Sequence, residues 1–311
     1  MSAPTVSSVS LIREAVRCHV CSSLEQDLYL EARGYRVVRC RECSLWYVNP
    51  QPSPDELGHF YERYDDGEQW RGGEEHFNRC VRDAILRYKR KGAVLDVGCG
   101  SGNFLLCMRE AGFSAFGIEP SQTGSDYARS MHGIETFCGM VEDYQAVNRS
   151  RRFDVVTLLN VLEHLPRPTL TLQRLRQSMA RDGLLVAVVP DARFHAVLGR
   201  LRQGFGFRDP FWLERPTSLL SGFKLPDHLC SFQPRTISLL LEHWGFKVEE
   251  MYNAPVVFNP QVYRNLGKIL LRSMFQLLYR LTLRRFLFGY STLVVARKAP
   301  HPDDDADQSA D

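Results

Sequence analysis

Short apolar runs alternate with amphipathic segments along most of the chain. The runs with the length of buried strands are at 94–97, 115–118, 134–137, 153–159, 184–189, 247–252 and 292–297. Apolar residues recur at helical spacing in the segments 103–111, 122–131, 169–180 and 235–244. Buried strands that alternate with helices are typical of a mostly parallel sheet with helices on both faces. The pattern therefore predicts an α/β fold with a seven-stranded sheet.

The N-terminal part of the chain has a different pattern. Two short β-like runs, 28–30 and 35–38, flank Gly34 and predict a hairpin. Four of the nine cysteines surround this hairpin as two C-x-x-C pairs, and they are Cys18, Cys21, Cys40 and Cys43. Two such pairs can complete a tetrahedral site of four thiolates, which has no open position for chemistry. We expect a zinc ribbon with a structural Zn²⁺; a redox pair and disulfides are the alternatives.

These patterns divide the chain into four parts. We expect the zinc ribbon in residues 1–50, a helical linker in 51–91, the α/β domain in 92–299 and a disordered acidic tail in 300–311. The domain carries two insertions, at 191–226 and 259–289. Five aspartates and no basic residue follow position 299, which is typical of a solvated tail.

The overall charge favours no particular macromolecular partner. Thirty-nine basic and 36 acidic residues leave a net charge of +3, so we expect no DNA partner. The longest stretch without a charged residue has 13 residues, too few for a membrane-spanning helix. The first ten residues do not resemble a secretory signal, and reduced cysteines favour the cytoplasm.

A glycine-rich loop follows the first predicted strand of the α/β domain. It reads D-V-G-C-G-S-G from Asp96 to Gly102, which departs from the G-x-G-x-x-G spacing of dinucleotide-binding loops. The loop resembles that of the class I S-adenosylmethionine-dependent methyltransferases, whose fold is Rossmann-like. The resemblance implies that Asp96 receives the ammonium group of S-adenosylmethionine. The backbone at Gly98, Cys99, Gly100 and Gly102 would then approach the cofactor closely.

Further motifs of that family follow at the expected spacing. Glu119 ends the second strand, about twenty residues after the glycines, where a carboxylate can accept both ribose hydroxyls. An acid that caps the next helix is the alternative for this residue. The resemblance places Glu142 or Asp143 at the adenine amine and adds Pro120 and Asn160 to the cofactor site.

Two histidines are candidates for catalysis. His228 lies in P-D-H-L-C-S-F-Q-P, which resembles the E-H-L-x-x-F-s-P segment of zinc-ribbon methyltransferases acting on sugars, with Asp227 in place of the glutamate. In that family the matching histidine is a base; ordering of the loop is the alternative. His164 follows the fourth strand at the edge of the cofactor site, and a structural role is its alternative. The pair Glu163-His164 also resembles quinone-pathway O-methyltransferases, where acids and a histidine hold a divalent cation. The sequence shows no complete ligand set, so we predict no catalytic metal.

The two insertions offer surfaces for an acceptor or a membrane. The segment 191–226 intersperses aromatic residues with arginines, which suits a pocket for a small-molecule acceptor or a lid that packs on itself. The second insertion combines apolar residues at helical spacing with a basic stripe and no acid. Such a helix packs on the core or on a second copy in a homodimer, or its residues 262–285 make peripheral contact with the inner face of a membrane.

The combined motifs predict an S-adenosylmethionine-dependent methyltransferase with an N-terminal zinc ribbon. We expect a small-molecule acceptor, a nucleotide- or lipid-linked sugar in glycan or secondary-metabolite biosynthesis, with a histidine as base. O-methylation of a quinone-like phenol at the membrane is the alternative among enzymes. A zinc-ribbon module that binds RNA is the alternative from another class of protein.

Overall fold

The computed structural model describes residues 13–32, 34–53, 56–57, 75–148, 150–191, 193, 225, 227–254 and 291–300. Most of the aromatic and basic segment after position 191 and all of the second insertion lie outside these residues. The acidic residues of the tail lie outside them as well. The predictions for an acceptor pocket, a membrane-contacting helix and a disordered tail therefore remain predictions.

A seven-stranded sheet forms the centre of the molecule. In chain order its strands are β4 (Gly92–Val97), β5 (Phe113–Glu119), β6 (Glu135–Cys138), β7 (Phe153–Leu159), β8 (Met179–Pro190), β10 (Phe246–Asn253) and β11 (Ser291–Lys298). Across the sheet the order is β10-β11-β8-β7-β4-β5-β6. The five strands from β8 to β6 are parallel, and β11 runs antiparallel to both of its neighbours. The predicted fold class is confirmed.

Both faces of this sheet are buried. Successive side chains of a strand point to opposite faces, and in β4 Val94 packs in one apolar cluster while Leu95 packs in the other. The helices are α1 (Glu75–Leu86), α2 (Asn103–Glu110), α3 (Gln122–His132), α4 (Val141–Val147), α5 (Pro168–Gln177) and α6 (Pro234–His243). Among the described residues, no helix is both long and apolar enough to cross a membrane.

The end of α5 differs from the sequence prediction. Helical spacing predicts a helix to position 180, but α5 ends at Gln177 and Met179 already pairs with Phe153 of β7. The backbone N–H of Phe153 also donates to the Ser178 carbonyl over 2.8 Å. A strand pairing that is distant in sequence thus overrides the local helical pattern.

A second, four-stranded sheet forms the ribbon. The predicted hairpin is confirmed as β1 (Gln26–Ala32) and β2 (Tyr35–Cys40), with Gly34 at a φ of 74° in the turn. The strand β3 (Trp46–Val48) follows, and the sheet order is β1-β2-β3-β9. The fourth strand, β9 (Cys230–Ser231), comes from the segment that also holds His228. The sequence did not predict this strand.

Candidate functional site: cofactor loop, histidine pair and cysteine cluster

The glycine loop, residues 96–102, is here called the cofactor loop after its predicted role. It leaves β4 and enters α2 at the carboxyl edge of the parallel strands. All three glycines have positive φ, at 68° for Gly98, 50° for Gly100 and 78° for Gly102. A Cβ atom on Gly98 would lie 2.7 Å from Val161, and one on Gly102 would lie 2.9 Å from Ala128. Among the described residues, no atom lies within 4 Å of a Cβ atom placed on Gly100. Gly98 and Gly102 therefore serve close packing, whereas Gly100 faces open space in which a ligand can approach the backbone.

Glu119 closes this loop from the next strand. Its carboxylate is buried, and one oxygen accepts from the Gly100 N–H and the other from the Ser121 N–H, both over 2.8 Å. The N-cap of α3 is Ser121, whose Oγ accepts from the Gly124 N–H. The alternative of Glu119 as the capping acid is therefore wrong. Each carboxylate oxygen has a further lone pair, so these contacts are compatible with ribose binding.

Asp96 and Cys99 are buried beside the loop. The Asp96 carboxylate accepts a 2.6 Å hydrogen bond from the hydroxyl of Thr157 on β7, a buried polar residue between apolar neighbours. Sequence reasoning did not single out Thr157, although its place between apolar neighbours was a visible signal. Burial raises the pKa of the Cys99 thiol, which stays neutral and lies where Gly117 leaves room for it. Cys99 thus contributes packing and its backbone to the loop.

The remaining predicted cofactor residues follow β5, β6 and β7 along the chain. Pro120 is exposed directly after Glu119, and the Gly139 N–H donates to the Glu119 carbonyl, so the turn before α4 adjoins this edge. In α4, Glu142 accepts from the hydroxyl of Thr171 on α5, whereas Asp143 is exposed. Of the two acids, Asp143 is thus the one turned to solvent.

Asn160 directly follows β7 and has a φ of 57°. Its N–H donates to the carbonyl of Val188 on β8 over 2.9 Å. This left-handed turn leads directly to Val161, which packs against Gly98, and then to a 3₁₀ turn, Leu162–His164. The motif that contains the first histidine therefore adjoins the cofactor loop.

The structure brings the two candidate histidines together. The ring centroids of His164 and His228 lie 4.8 Å apart, with the ring planes at 82°. The Nδ1 of His164 lies 2.8 Å from the Asp227 carbonyl oxygen, which can only accept a hydrogen bond. The proton of neutral His164 is therefore on Nδ1, and Nε2 is the basic nitrogen. The sequence treats these residues as separate candidates 64 positions apart; the fold makes them one site.

A buried carboxylate completes this histidine pair. Ligand atoms of Glu163, His164 and His228 all lie within 4.8 Å of one another. Glu163 is 2% exposed, and its backbone carbonyl accepts from the Leu229 N–H over 2.7 Å. A carboxylate and two imidazoles can hold a positive charge, either a proton on an imidazole or a divalent cation. The sequence prediction overlooked this three-residue set because its members come from two distant segments.

The four cysteines of the ribbon form a cluster of sulfur atoms. The Cys18 and Cys43 sulfurs are 3.4 Å apart, the Cys21 and Cys40 sulfurs are 3.5 Å apart, and all four lie within 4.8 Å of one another. No disulfide joins them. A tetrahedral zinc site with Zn–S bonds of about 2.3 Å places its sulfurs about 3.8 Å apart. The hydrogen bond from Cys43 lowers the pKa of Cys18 to about 5, so a thiolate is favoured there. The donor set fits a zinc ion.

Gly100→Ala is expected to weaken binding of S-adenosylhomocysteine by about tenfold or more, because the new methyl group occupies the space beside the loop. The stability loss should be only about 1 kcal/mol, since in the part of the chain that the structure describes no atom lies within 4 Å of the new group. Gly34→Ala is the matched control, with a φ of 74° and equally open surroundings. Calorimetric binding and thermal unfolding measure both effects. Equal cofactor affinity in the two variants would contradict the assignment of the loop.

Comparison with known protein families agrees with the methyltransferase fold predicted from the sequence. Residues 73–251, more than half of the chain, match the family model described as "Methyltransferase domain". The chain belongs to this methyltransferase-domain family. The match includes the glycine loop, Glu119 and both histidines, and it begins after the cysteine cluster. The prediction of a methyltransferase is thus confirmed at the level of family and fold.

Curated relatives of this methyltransferase domain are similar over about a third of the chain. The chain is 34% identical over 103 residues to the ubiquinone biosynthesis O-methyltransferase of Actinobacillus pleuropneumoniae, which is 30% of this chain and 43% of that protein. It is 34% identical over 121 residues to the protein of the same name from Bordetella parapertussis, 37% of this chain and 46% of that protein. The chain thus spans less than half the length of these two relatives.

A solved structure supports the fold of the methyltransferase domain. The 1,6-didemethyltoxoflavin-N1-methyltransferase of Burkholderia thailandensis, solved with S-adenosylhomocysteine, aligns with a TM-score of 0.51 and 15% identity. The alignment covers 89% of this chain and all of that chain. At this identity the likeness concerns the fold alone, which is that of class I S-adenosylmethionine-dependent methyltransferases.

Proposed function

We propose that this protein transfers the methyl group of S-adenosylmethionine to a hydroxyl group of a small molecule, with His228 as the base. The observation that carries the proposal is the histidine pair. His164 lies just after the β7 turn that packs on the cofactor loop, and His228 lies against His164. Bound S-adenosylmethionine supplies an electrophilic methyl group on a sulfonium. Gly100 and Glu119 hold the donor nucleoside, and Asp96 receives its ammonium group.

The histidine pair then handles the acceptor proton. The imidazole of His228 takes the hydroxyl proton while the oxygen attacks the methyl carbon and the carbon–sulfur bond breaks. His164, fixed by the Asp227 carbonyl, and buried Glu163 favour the resulting imidazolium. The products are the methyl ether, S-adenosylhomocysteine and one proton. General-base catalysis of this kind needs an imidazole in reach of the hydroxyl, which the edge position of the pair allows.

A sugar, nucleotide- or lipid-linked, is the first candidate acceptor. Its support is the likeness of the segment around His228 to zinc-ribbon methyltransferases acting on sugars. The five arginines of the segment 191–226 suit the phosphates of such an acceptor, and its aromatic residues suit stacking on a sugar ring.

A quinone-like phenol is the second candidate acceptor. The curated relatives are named ubiquinone biosynthesis O-methyltransferases. The Glu163-His164 pair resembles the acid and histidine of quinone-pathway O-methyltransferases. The basic, acid-free insertion at 259–289 would bring such an enzyme to an anionic membrane surface from the cytoplasm.

Calorimetry and an acceptor screen test the proposal. Heat of binding with S-adenosylhomocysteine is expected, and its absence from correctly folded, zinc-loaded protein would refute the function. Methyl transfer is then measured with two probes, a nucleoside diphosphate sugar and a catechol. Methylation of the sugar supports the first candidate, and methylation of the catechol, together with flotation on anionic vesicles, supports the second.

The cysteine cluster is proposed to hold one structural zinc ion. Cys18→Ser is expected to lower the zinc content from one ion per chain to near zero and to unfold the ribbon, because structural zinc contributes folding free energy directly. Cys138→Ser is the matched control, since this thiol lies at the end of β6, outside the cluster. Elemental analysis measures the zinc content. Full zinc content in the Cys18 variant would contradict the assignment.

A further inference from the structure

The segment that carries His228 is attached to the α/β domain on one side. Leu229, the next residue, donates its N–H to the Glu163 carbonyl over 2.7 Å, and Asp227 accepts from His164. Phe232 forms an isolated parallel bridge with Asp191 at the end of β8. These contacts place the segment 227–232 along the carboxyl edge of the sheet, where ligands bind in folds of this type.

The same segment is attached to the ribbon on its other side. The Leu229 carbonyl accepts from the Val48 N–H over 2.8 Å, so one residue is bonded to both parts of the molecule. Strand β9 then pairs with β3 through Tyr47 opposite Cys230 and Trp46 opposite Ser231. The side chain of Gln233, at the start of α6, adds a 3.3 Å bond to the Ser44 carbonyl.

The ribbon side of this attachment adjoins the cysteine cluster. Strand β3 has three residues and begins three positions after Cys43, and β9 has two. Pairings this short are not stable unaided in water. Cys230 is completely buried in the apolar cluster that contains Cys18, Cys40 and Cys43. The cysteine cluster and the strands β3 and β9 thus share one apolar cluster, through Tyr47 and Cys230.

We propose that the metal-loaded cysteine cluster positions His228 for methyl transfer, through the pairing of β3 with β9 and the two bonds of the Leu229 backbone. The ribbon is then a part of the acceptor side of the active site, rather than an appendage for another partner. The cofactor loop is held by β4, β5 and Glu119, so cofactor binding does not depend on the cluster. The catalytic role of His228 rests on the proposed function; the positioning itself does not.

Hydrogen exchange on the full chain tests this proposal. Removing zinc with a chelator, or introducing Cys21→Ser at the exposed ligand, is expected to speed amide exchange in the peptide 227–233 by about tenfold or more. Adding zinc back to the wild type restores protection. Amide exchange in the peptide 94–97 of β4 and the affinity for S-adenosylhomocysteine stay unchanged. In the Cys138→Ser control, exchange in both peptides stays at the wild-type rate. The imidazole NMR signals of His164 and His228 shift with zinc removal.

A second variant separates positioning from metal binding. Val48→Pro keeps all four cysteines but removes the N–H that bonds to the Leu229 carbonyl. Zinc content is expected to stay at one ion per chain while the peptide 227–233 loses protection. With an identified acceptor, the loss appears in kcat rather than in the KM for S-adenosylmethionine.

Three results would overturn the positioning role. The first is loss of protection confined to 26–48 while 227–233 stays protected without zinc. The second is a joint loss of protection in 94–97 and of cofactor affinity, which would show that the cluster holds the whole fold together. The third is unchanged protection of 227–233 in a folded Val48→Pro variant. A native protein that fails to bind S-adenosylhomocysteine would refute the proposed function instead and leave the exchange result valid.

Discussion

His228→Ala is expected to lower kcat for methyl transfer by about 10²–10⁴-fold, the range that general-base catalysis contributes. The affinity for S-adenosylhomocysteine should not change, because the contacts proposed for the cofactor come from the glycine loop and Glu119. The measurement is kcat with the acceptor found in the screen, alongside calorimetry with S-adenosylhomocysteine. His243→Ala, an exposed histidine on α6, is the matched control and should retain full activity.

Two further observations distinguish a base from a residue that orders the loop. Added imidazole should restore part of the activity of the alanine variant, since it replaces the missing base. His164→Ala should lower kcat less than His228→Ala does, if His164 positions His228 and favours its imidazolium form without contacting the acceptor. Unchanged turnover in His228→Ala, or full activity in His228→Asn, would exclude the base.

Glu119→Ala is expected to weaken binding of S-adenosylhomocysteine by about 10- to 100-fold. The carboxylate forms two charge-assisted hydrogen bonds to backbone N–H groups, each worth roughly 1.5–3 kcal/mol, and its loss releases the loop at Gly100. The contacts proposed to the ribose are lost at the same time. Calorimetry measures the affinity, and thermal unfolding measures the accompanying loss of stability.

Variants of two glutamates make the test of Glu119 specific. Glu242→Ala, at an exposed position on α6, should leave affinity and stability unchanged. Glu119→Gln keeps the shape of the side chain, but its amide nitrogen cannot accept the second backbone N–H, so an intermediate affinity is expected. If Glu119→Ala loses stability and yet binds S-adenosylhomocysteine at the wild-type affinity, the residue only holds the loop and does not contact the ribose.

Several elements were predictable because their signals are local. The glycines of the cofactor loop follow a buried strand at once, and all three have the positive φ that explains their residue type. The ribbon hairpin turns at Gly34 as predicted. By contrast, the last turn predicted for α5 is absent, because Met179 joins β8 through its pairing with Phe153. Helix ends are decided by such partners, which a local pattern does not contain.

In the candidate site, too, the residue types were predictable from local motifs, whereas the contacts between them were not. Sequence indicated Asp96, Glu119 and both histidines one by one, each from a short local motif. It did not indicate that Thr157 bonds to Asp96 or that Glu119 accepts from Gly100. These contacts join adjacent parallel strands, and which strands are adjacent follows from the sheet order.

The amino-acid sequence by itself determined the chemistry available to this protein: a cofactor loop, four thiols at metal-binding spacing, and two imidazoles next to acids. Only the tertiary structure decided that His164 and His228 face each other and that the strand after His228 completes the ribbon sheet. The physical reason is that short motifs fix residue type and local backbone, whereas distances between segments far apart in sequence depend on how strands order and pack in the folded chain.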